Sequence, residues 1–294
     1  MRDFPIKGNA WLVEQAGRFR RGELQPAAVA PAATVMLVRP ATDAGAGVGA
    51  GAGVEVFLQQ RVASMEFAPS MLVFPGGRVD PRDARADLEW AGRSPSGWAD
   101  VLATDEEAAR LLVTAAIREL FEECGVLLAG PDADSVVADV SSPVWHERRM
   151  ALTRHEVALA DVLAADGLVL RSDLLSYRAH WVTPVFEPKR YDTRFFAATV
   201  PPGQVPDGQT SEADHAGWFA PEQTLAALGR GEVMMLPPTM VCLEGLAEAD
   251  SVDDVVRDEP DVILVMPELL PDHDPVVLRT PLPPRPDPIA QVAP

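Results

Sequence analysis

At 294 residues, with 47% hydrophobic and 23% charged residues, the chain reads as one large or two small globular domains with a sizeable core. Its 25 basic and 44 acidic residues leave a net charge of −19, which argues against a nucleic-acid surface and against electrostatic docking on a membrane of anionic lipid. Two cysteines, Cys124 and Cys242, are too few for a disulfide framework or a Cys-rich zinc site and point to reduced thiols in a cytoplasmic protein. Met1 to Pro5 lacks the apolar core of a signal peptide, and no apolar run reaches the roughly 18 residues of a spanning helix.

In chain order, residues 9–21 read as a short helix with Trp11, Leu12 and Phe19 as apolar contacts and arginines at its end. Residues 34–39 read as a buried strand. An Ala/Gly-rich connector at 43–53 joins it to a second strand at 54–61, a hairpin candidate. Residues 71–74 form a short apolar strand that runs into Pro75-Gly76-Gly77, where paired glycines allow close approach to bare backbone. Residues 81–104 are polar and weakly patterned and read as an insertion that carries Trp90 and Trp98 but no chemistry. A helix then runs from Asp105 to Cys124, with Thr104 as N-cap, Glu107 in a capping box and Gly125 as C-cap. Residues 126–128 read as a short strand and 143–166 as one or two helices. Strands follow at 179–183, 193–200 and 213–219, helices at 220–228 and 237–249, and a last strand at 262–265. From Pro267, nine of 28 residues are proline, so the tail reads as extended or disordered.

The helix ending at Cys124 carries Glu119, Glu122 and Glu123. At about 100° per residue the three share one arc of roughly 100°. Like charges so placed repel one another, and a hard divalent cation with oxygen ligands would relieve that repulsion; a solvated acidic face fits the same pattern. The scattered His146, His155, His180 and His215 lack ligand spacing and read as structural or surface residues.

Together, the strand ending in Pro-Gly-Gly and the later Arg118-Glu119-Leu120-Phe121-Glu122-Glu123-Cys124-Gly125-Val126 resemble the signature of the Nudix hydrolases. The resemblance departs from the family pattern twice. Arg118 lies 41 residues after Gly77, an excess of 27, and the expected mid-box glutamate falls on Arg110, for which Asp83, Glu106 or Glu107 might substitute. A long insertion here, with Val73–Gly77 and Asp80, Arg190–Phe196 and Leu236–Thr239, is similar to a subgroup that includes peroxisomal coenzyme A and acyl-CoA diphosphatases.

The resemblance implies an α/β fold, a Nudix-type α/β/α sandwich with a mixed central sheet and peripheral helices. It divides the chain into an N-terminal helical extension (1–29), the hydrolase domain (30–250) and a C-terminal strand with its Pro-rich tail (251–294). It implies metal-dependent cleavage of a nucleotide-linked diphosphate, best coenzyme A or acyl-CoA, with ADP-ribose, a dinucleotide or a nucleoside triphosphate as alternatives and a non-catalytic nucleotide-binding regulator as a further one. Glu119, Glu122 and Glu123, with the Gly76 carbonyl, would hold Mg²⁺ or Mn²⁺. Arg118 would fix the helix against the loop. Arg61, Gly77, Arg78 and Arg194 would meet the substrate. Many members of that family are dimers, though no stretch here fixes the oligomer.

Overall fold

In a computed structural model of the chain, the described residues are 1–5, 10–42, 53–65, 68–210, 213–257, 259–270, 273 and 277–285. The side-chain contacts expected of Trp11 and Leu12 and the connector at 43–52 lie outside them.

The chain opens with β1 (Arg2–Pro5), α1 (Ala10–Arg20), β2 (Val29–Pro40) and β3 (Val54–Arg61). β2 and β3 form the expected antiparallel pair, with Val38 opposite Val56. The glycine segment is split between β4 (Leu72–Val73) and β5 (Gly76–Arg78), which pair with β3 and β2 respectively.

The insertion is ordered. It holds a 3₁₀ turn at Pro81–Ala84, β6 (Trp90–Ala91) and α2 (Pro95–Leu102). The long helix is α3 (Glu106–Cys124). Its N-cap is Asp105 rather than Thr104, because the Asp105 carboxylate accepts from Ala108 N at 2.8 Å. Gly125 ends the helix in the left-handed conformation, with φ 68°.

No strand forms at 126–128. The buried Gln204 amide takes the place of a ladder neighbour there, accepting from Leu127 N and donating to Leu127 O at 2.8 and 2.9 Å. The short strand falls instead at β7 (Ala129–Gly130). Two helices, α4 (Pro143–Thr153) and α5 (Leu159–Ala165), fill the next stretch. Then come β8 (Val169–Arg171), β9 (Ser176–Val182), β10 (Arg190–Thr199), β11 (Ala213–Phe219), α6 (Pro221–Gly229), α7 (Pro237–Ala247) and α8 (Val252–Val256). β12 (Leu264–Val265), β13 (Glu268–Leu270) and β14 (Val277–Thr280) close the described chain. Part of the proline-rich tail is thus extended, and it is folded into a sheet in the order β1-β14-β13.

The central sheet runs β11-β3-β2-β10-β9-β12, with β4 beside β3 and β5 beside β2. It is mixed, since β2 pairs in parallel with β10 and antiparallel with β3. Alternation along β2 feeds two cores. Ala33, Val35 and Leu37 pack on the face carrying α3, with Ile117, Leu120 and Phe121. Met36 and Val38 pack on the other, with Leu243 and Leu246 of α7. Helices on both faces of a mixed sheet make the expected α/β/α sandwich.

Trp98 of the insertion is 1% exposed and meets Phe196 of β10 edge-on, at 5.7 Å between ring centres. A segment that fills the main core is not a dispensable loop. Trp98→Ala should therefore lower unfolding free energy by about 3–5 kcal/mol in a denaturant titration, and a cost below about 1 kcal/mol would contradict this packing.

Candidate active site

β5 brings the paired glycines against α3. Thr34 lies opposite Gly76, Ala33 opposite Gly77 and Ala32 opposite Arg78. A Cβ on Gly76 would sit 2.5 Å from the Ala33 carbonyl oxygen, and one on Gly77 would sit 2.5 Å from Glu119 Oε1. The glycines are required because a sheet neighbour and a carboxylate already occupy the space of a side chain. The Gly76 N–H donates to Glu123 Oε2 at 2.9 Å. Loop and helix therefore meet despite the 27 extra residues between them.

Arg118, 5% exposed, is the hub. Its Nη1 donates to Glu119 Oε1 at 2.8 Å and to Glu122 Oε1 at 3.2 Å. Its Nε reaches Asp83 Oδ1 at 3.0 Å, and its Nη2 reaches the Arg78 carbonyl at 2.8 Å and Asp83 Oδ2 at 3.1 Å. Burial opposes its charge, but the charges of Glu119 and Asp83 outweigh that and hold it above its ordinary value. Asp83 is 2% exposed and also accepts from Asp80 N at 2.9 Å. Burial raises Asp83 and Glu122 above the usual carboxylate range, against the opposing charge of Arg118.

The insertion, expected to carry no chemistry, thus delivers an acid, Asp83, to Arg118. Among the three acids considered as stand-ins for the missing mid-box glutamate, Asp83 alone lies against Arg118. Glu106 and Glu107 are exposed on the first turn of α3. Arg110 is engaged elsewhere, with its guanidinium 5.7 Å from the Trp90 ring centre.

The C-terminal end of α3 has its own clamp, which sequence reasoning missed. Arg149 of α4, 4% exposed, donates from Nε to the Glu122 carbonyl at 2.9 Å and from Nη1 to both Asp207 oxygens at 2.8 and 2.9 Å. A cation suits the exposed carbonyls of a helix end. A Cβ on Gly125 would lie 2.8 Å from that Nη1, so the C-cap glycine also admits the arginine. Asp207 N donates to the Cys124 carbonyl at 2.9 Å. The Cys124 thiol is fully buried beside Gln59, and burial pushes it well above its ordinary range, as expected of a packing residue.

The remaining predicted site residues scatter. Arg78 is exposed next to the glycines. Arg61 ends β3 opposite Ala213 of β11 and is part-buried. Arg194 is 6% exposed, and its guanidinium contacts Asp192 and His180 and donates to the Leu102 carbonyl at 3.4 Å. The register Gly77, Ala33, Arg194, His180 places it on the same sheet face as the glycine, two strands away. Its Nη1 and Nη2 are engaged within the protein, while Nε is buried without a hydrogen-bond partner.

Among the described residues, no group of three or more His, Cys, Asp or Glu side chains is arranged as a ready cation cage. The donor chemistry does fit a hard divalent ion. Asp83, Glu119 and Glu122 share one guanidinium, so buried negative charge exceeds positive, and all are oxygen donors.

A glycine strand apposed to an Arg-Glu-x-x-Glu-Glu helix within a mixed α/β/α sandwich defines a class, and the chain has the fold of the Nudix hydrolases. The crystal structure of a NUDIX hydrolase from Alicyclobacillus acidocaldarius is similar to it with TM-score 0.65 and 25% identity, covering 79% of this chain and 97% of that one. Among curated proteins, "Putative nudix hydrolase 7" of Caenorhabditis elegans is 26% identical over 210 residues, 67% of this chain and 57% of that protein. An acyl-coenzyme A diphosphatase of Gallus gallus is 28% identical over 245 residues, 68% of this chain and 63% of that protein. The matched region thus spans less than two thirds of these relatives' length. No family model matches the sequence.

Asp83→Ala should cost about 1–3 kcal/mol in chemical denaturation, because Arg118 Nε and Asp80 N lose their acceptor. Arg110→Ala should cost less than about 1 kcal/mol, since it removes a cation–π contact with Trp90 and an i,i+4 pair with the exposed Glu106; equal losses would show that Asp83 has no special place beside Arg118. Arg149→Ala should leave Glu122 on a frayed helix end and lower kcat by about tenfold or more, with Arg149→Lys restoring part of it.

Proposed function

We propose that the protein is a divalent-cation-dependent diphosphatase that cleaves the pyrophosphate of a nucleoside-diphosphate-linked compound, with coenzyme A or acyl-CoA as the first choice. The observation that carries this reading is the meeting of the glycine strand with the acidic helix, sealed by Gly76 N–H on Glu123 and by Arg118 on Asp83, Glu119 and Glu122. The acyl-CoA choice rests on the similarity to the Gallus gallus diphosphatase and on Arg190–Phe196 and Leu236–Thr239. The catalytic unit is read as residues 30–250.

Glu119, Glu122 and Glu123, with the Gly76 carbonyl, would hold Mg²⁺ or Mn²⁺. The bound ion supplies charge neutralisation at the phosphoryl oxygens and a more acidic water. Arg118 holds the Glu119 and Glu122 carboxylates together and ties them to the glycine strand through the Arg78 carbonyl. The exposed Arg78 guanidinium beside the glycines would take phosphate oxygens, with Arg61 at the end of β3 as a further candidate. Water adds across one P–O bond of the anhydride, and the products are two monophosphates. For coenzyme A they are 4′-phosphopantetheine and adenosine 3′,5′-bisphosphate. The regulator alternative rested on Arg110, and an acid on Arg118, Asp83, supports the catalytic reading over it.

The test is turnover of CoA, acyl-CoA, ADP-ribose, dinucleotides and nucleoside triphosphates with Mg²⁺ or Mn²⁺, beside Glu122→Gln. CoA or acyl-CoA should show the highest kcat/KM, and Glu122→Gln should lower kcat by about a hundredfold or more. Inactivity on every substrate, or an unaffected variant, would refute the assignment. The metal-free protein has a pH signature as well. Asp83 and Glu122 titrate above their unfolded values, so their protonation favours the fold at low pH and that contribution is lost as pH rises through the raised values. Added Mn²⁺ should accordingly raise Tm more at about pH 8 than at about pH 5.

A further inference from the structure

A chain of net charge −19 with buried carboxylates at its centre needs local cations at the mouth of the site to admit a polyanion. Arg118 and Arg149 are buried within the protein and spent on its own carboxylates. The loop between α4 and α5 supplies another group. Its His155 was grouped from sequence with the scattered surface histidines, yet the fold puts it at the acidic helix.

Three observations converge on His155. First, the loop is fastened to the glycine segment through Arg82, which donates to both Asp80 oxygens at 2.9 and 2.6 Å and to the His155 carbonyl at 2.6 Å. Second, the His155 ring places Nδ1 3.5 Å from Asp80 Oδ2 and stays two-thirds exposed, at 66%. It lies close enough to Glu122 for its charge to favour the ionised carboxylate there. The charged groups facing it are Asp80, Arg82 and Glu122. Third, its backbone is left-handed, with φ 55°, a conformation strained for a non-glycine residue and commoner at functional loops.

We propose that His155 is a substrate-contacting residue of this site, its Nε2–H donating to a non-bridging oxygen of the bound diphosphate. As the imidazolium, His155 turns Nδ1–H to the Asp80 carboxylate and leaves Nε2–H for a phosphate oxygen. The inference rests on the diphosphatase reading for its ligand class, and on the loop geometry for its placement.

The left-handed backbone makes the test clean, because glycine and asparagine both accept φ 55° without an imidazole. His155→Gly and His155→Asn should melt at or above the wild-type temperature, while KM for the best diphosphate substrate rises about tenfold and kcat changes less than about threefold. Arg154→Ala, which alters only an exposed pair with Glu156, serves as the charge control and should leave KM unchanged. An unchanged KM in both His155 variants overturns the proposal even with an active wild type. ADP with Mn²⁺, titrated by calorimetry into wild type and His155→Gly, separates the two readings. Weaker ADP binding by the variant supports the contact even when no substrate turns over, and equal binding overturns it.

Discussion

Everything at the candidate site hangs on one buried guanidinium. Arg118 is surrounded by Asp83, Glu119 and Glu122 and by the Arg78 carbonyl, groups drawn from the insertion, the helix and the glycine strand. Removing any one element leaves a buried charge short of partners, which is costly in a low-dielectric setting. The arrangement is also electrically lopsided, since one positive charge cannot neutralise three carboxylates. Burial leaves two of those acids reluctant to ionise. Such an assembly is held together by its arginine and carries more acidic groups than basic ones.

The sheet register explains how such distant segments share one place. Gly77, Ala33, Arg194 and His180 form one row across four strands, so their side-chain positions face the same side. The row is anchored at its far end by the Asp192, His180 and Arg194 cluster. Arg194 thereby stiffens the floor beneath α2 and the neighbouring core instead of reaching out to solvent. Arg149 does the corresponding work at the C-terminal end of α3, where it reads the Glu122 carbonyl.

Much of this was legible in the chain. Periodicity gave α3, β3 and β11 nearly to the residue, whereas β2 begins at Val29, five residues before the expected strand. The glycine strand and acidic helix were recognisable from residue order alone. What stayed hidden were the partners chosen by tertiary contact. Asp83 sits in a polar stretch with no pattern, and only the fold carries it 35 positions forward to Arg118. Arg149 is one of several arginines in a helix of mixed polarity. His155 has no spacing to another ligand. The strand expected at 126–128 failed because a side-chain amide, Gln204, replaced the ladder that an apolar run seemed to require.

The small sheet outside the sandwich has a consequence for the order of events during synthesis. β1 pairs with β14, Arg2 opposite Thr280, and the Arg2 guanidinium is buried on Glu244 of α7 with contacts of 2.5 and 2.6 Å. β1 therefore cannot pair until β14, 278 positions further along the chain, has been made. Closure of that seam is a long-range step, slowed by its sequence separation.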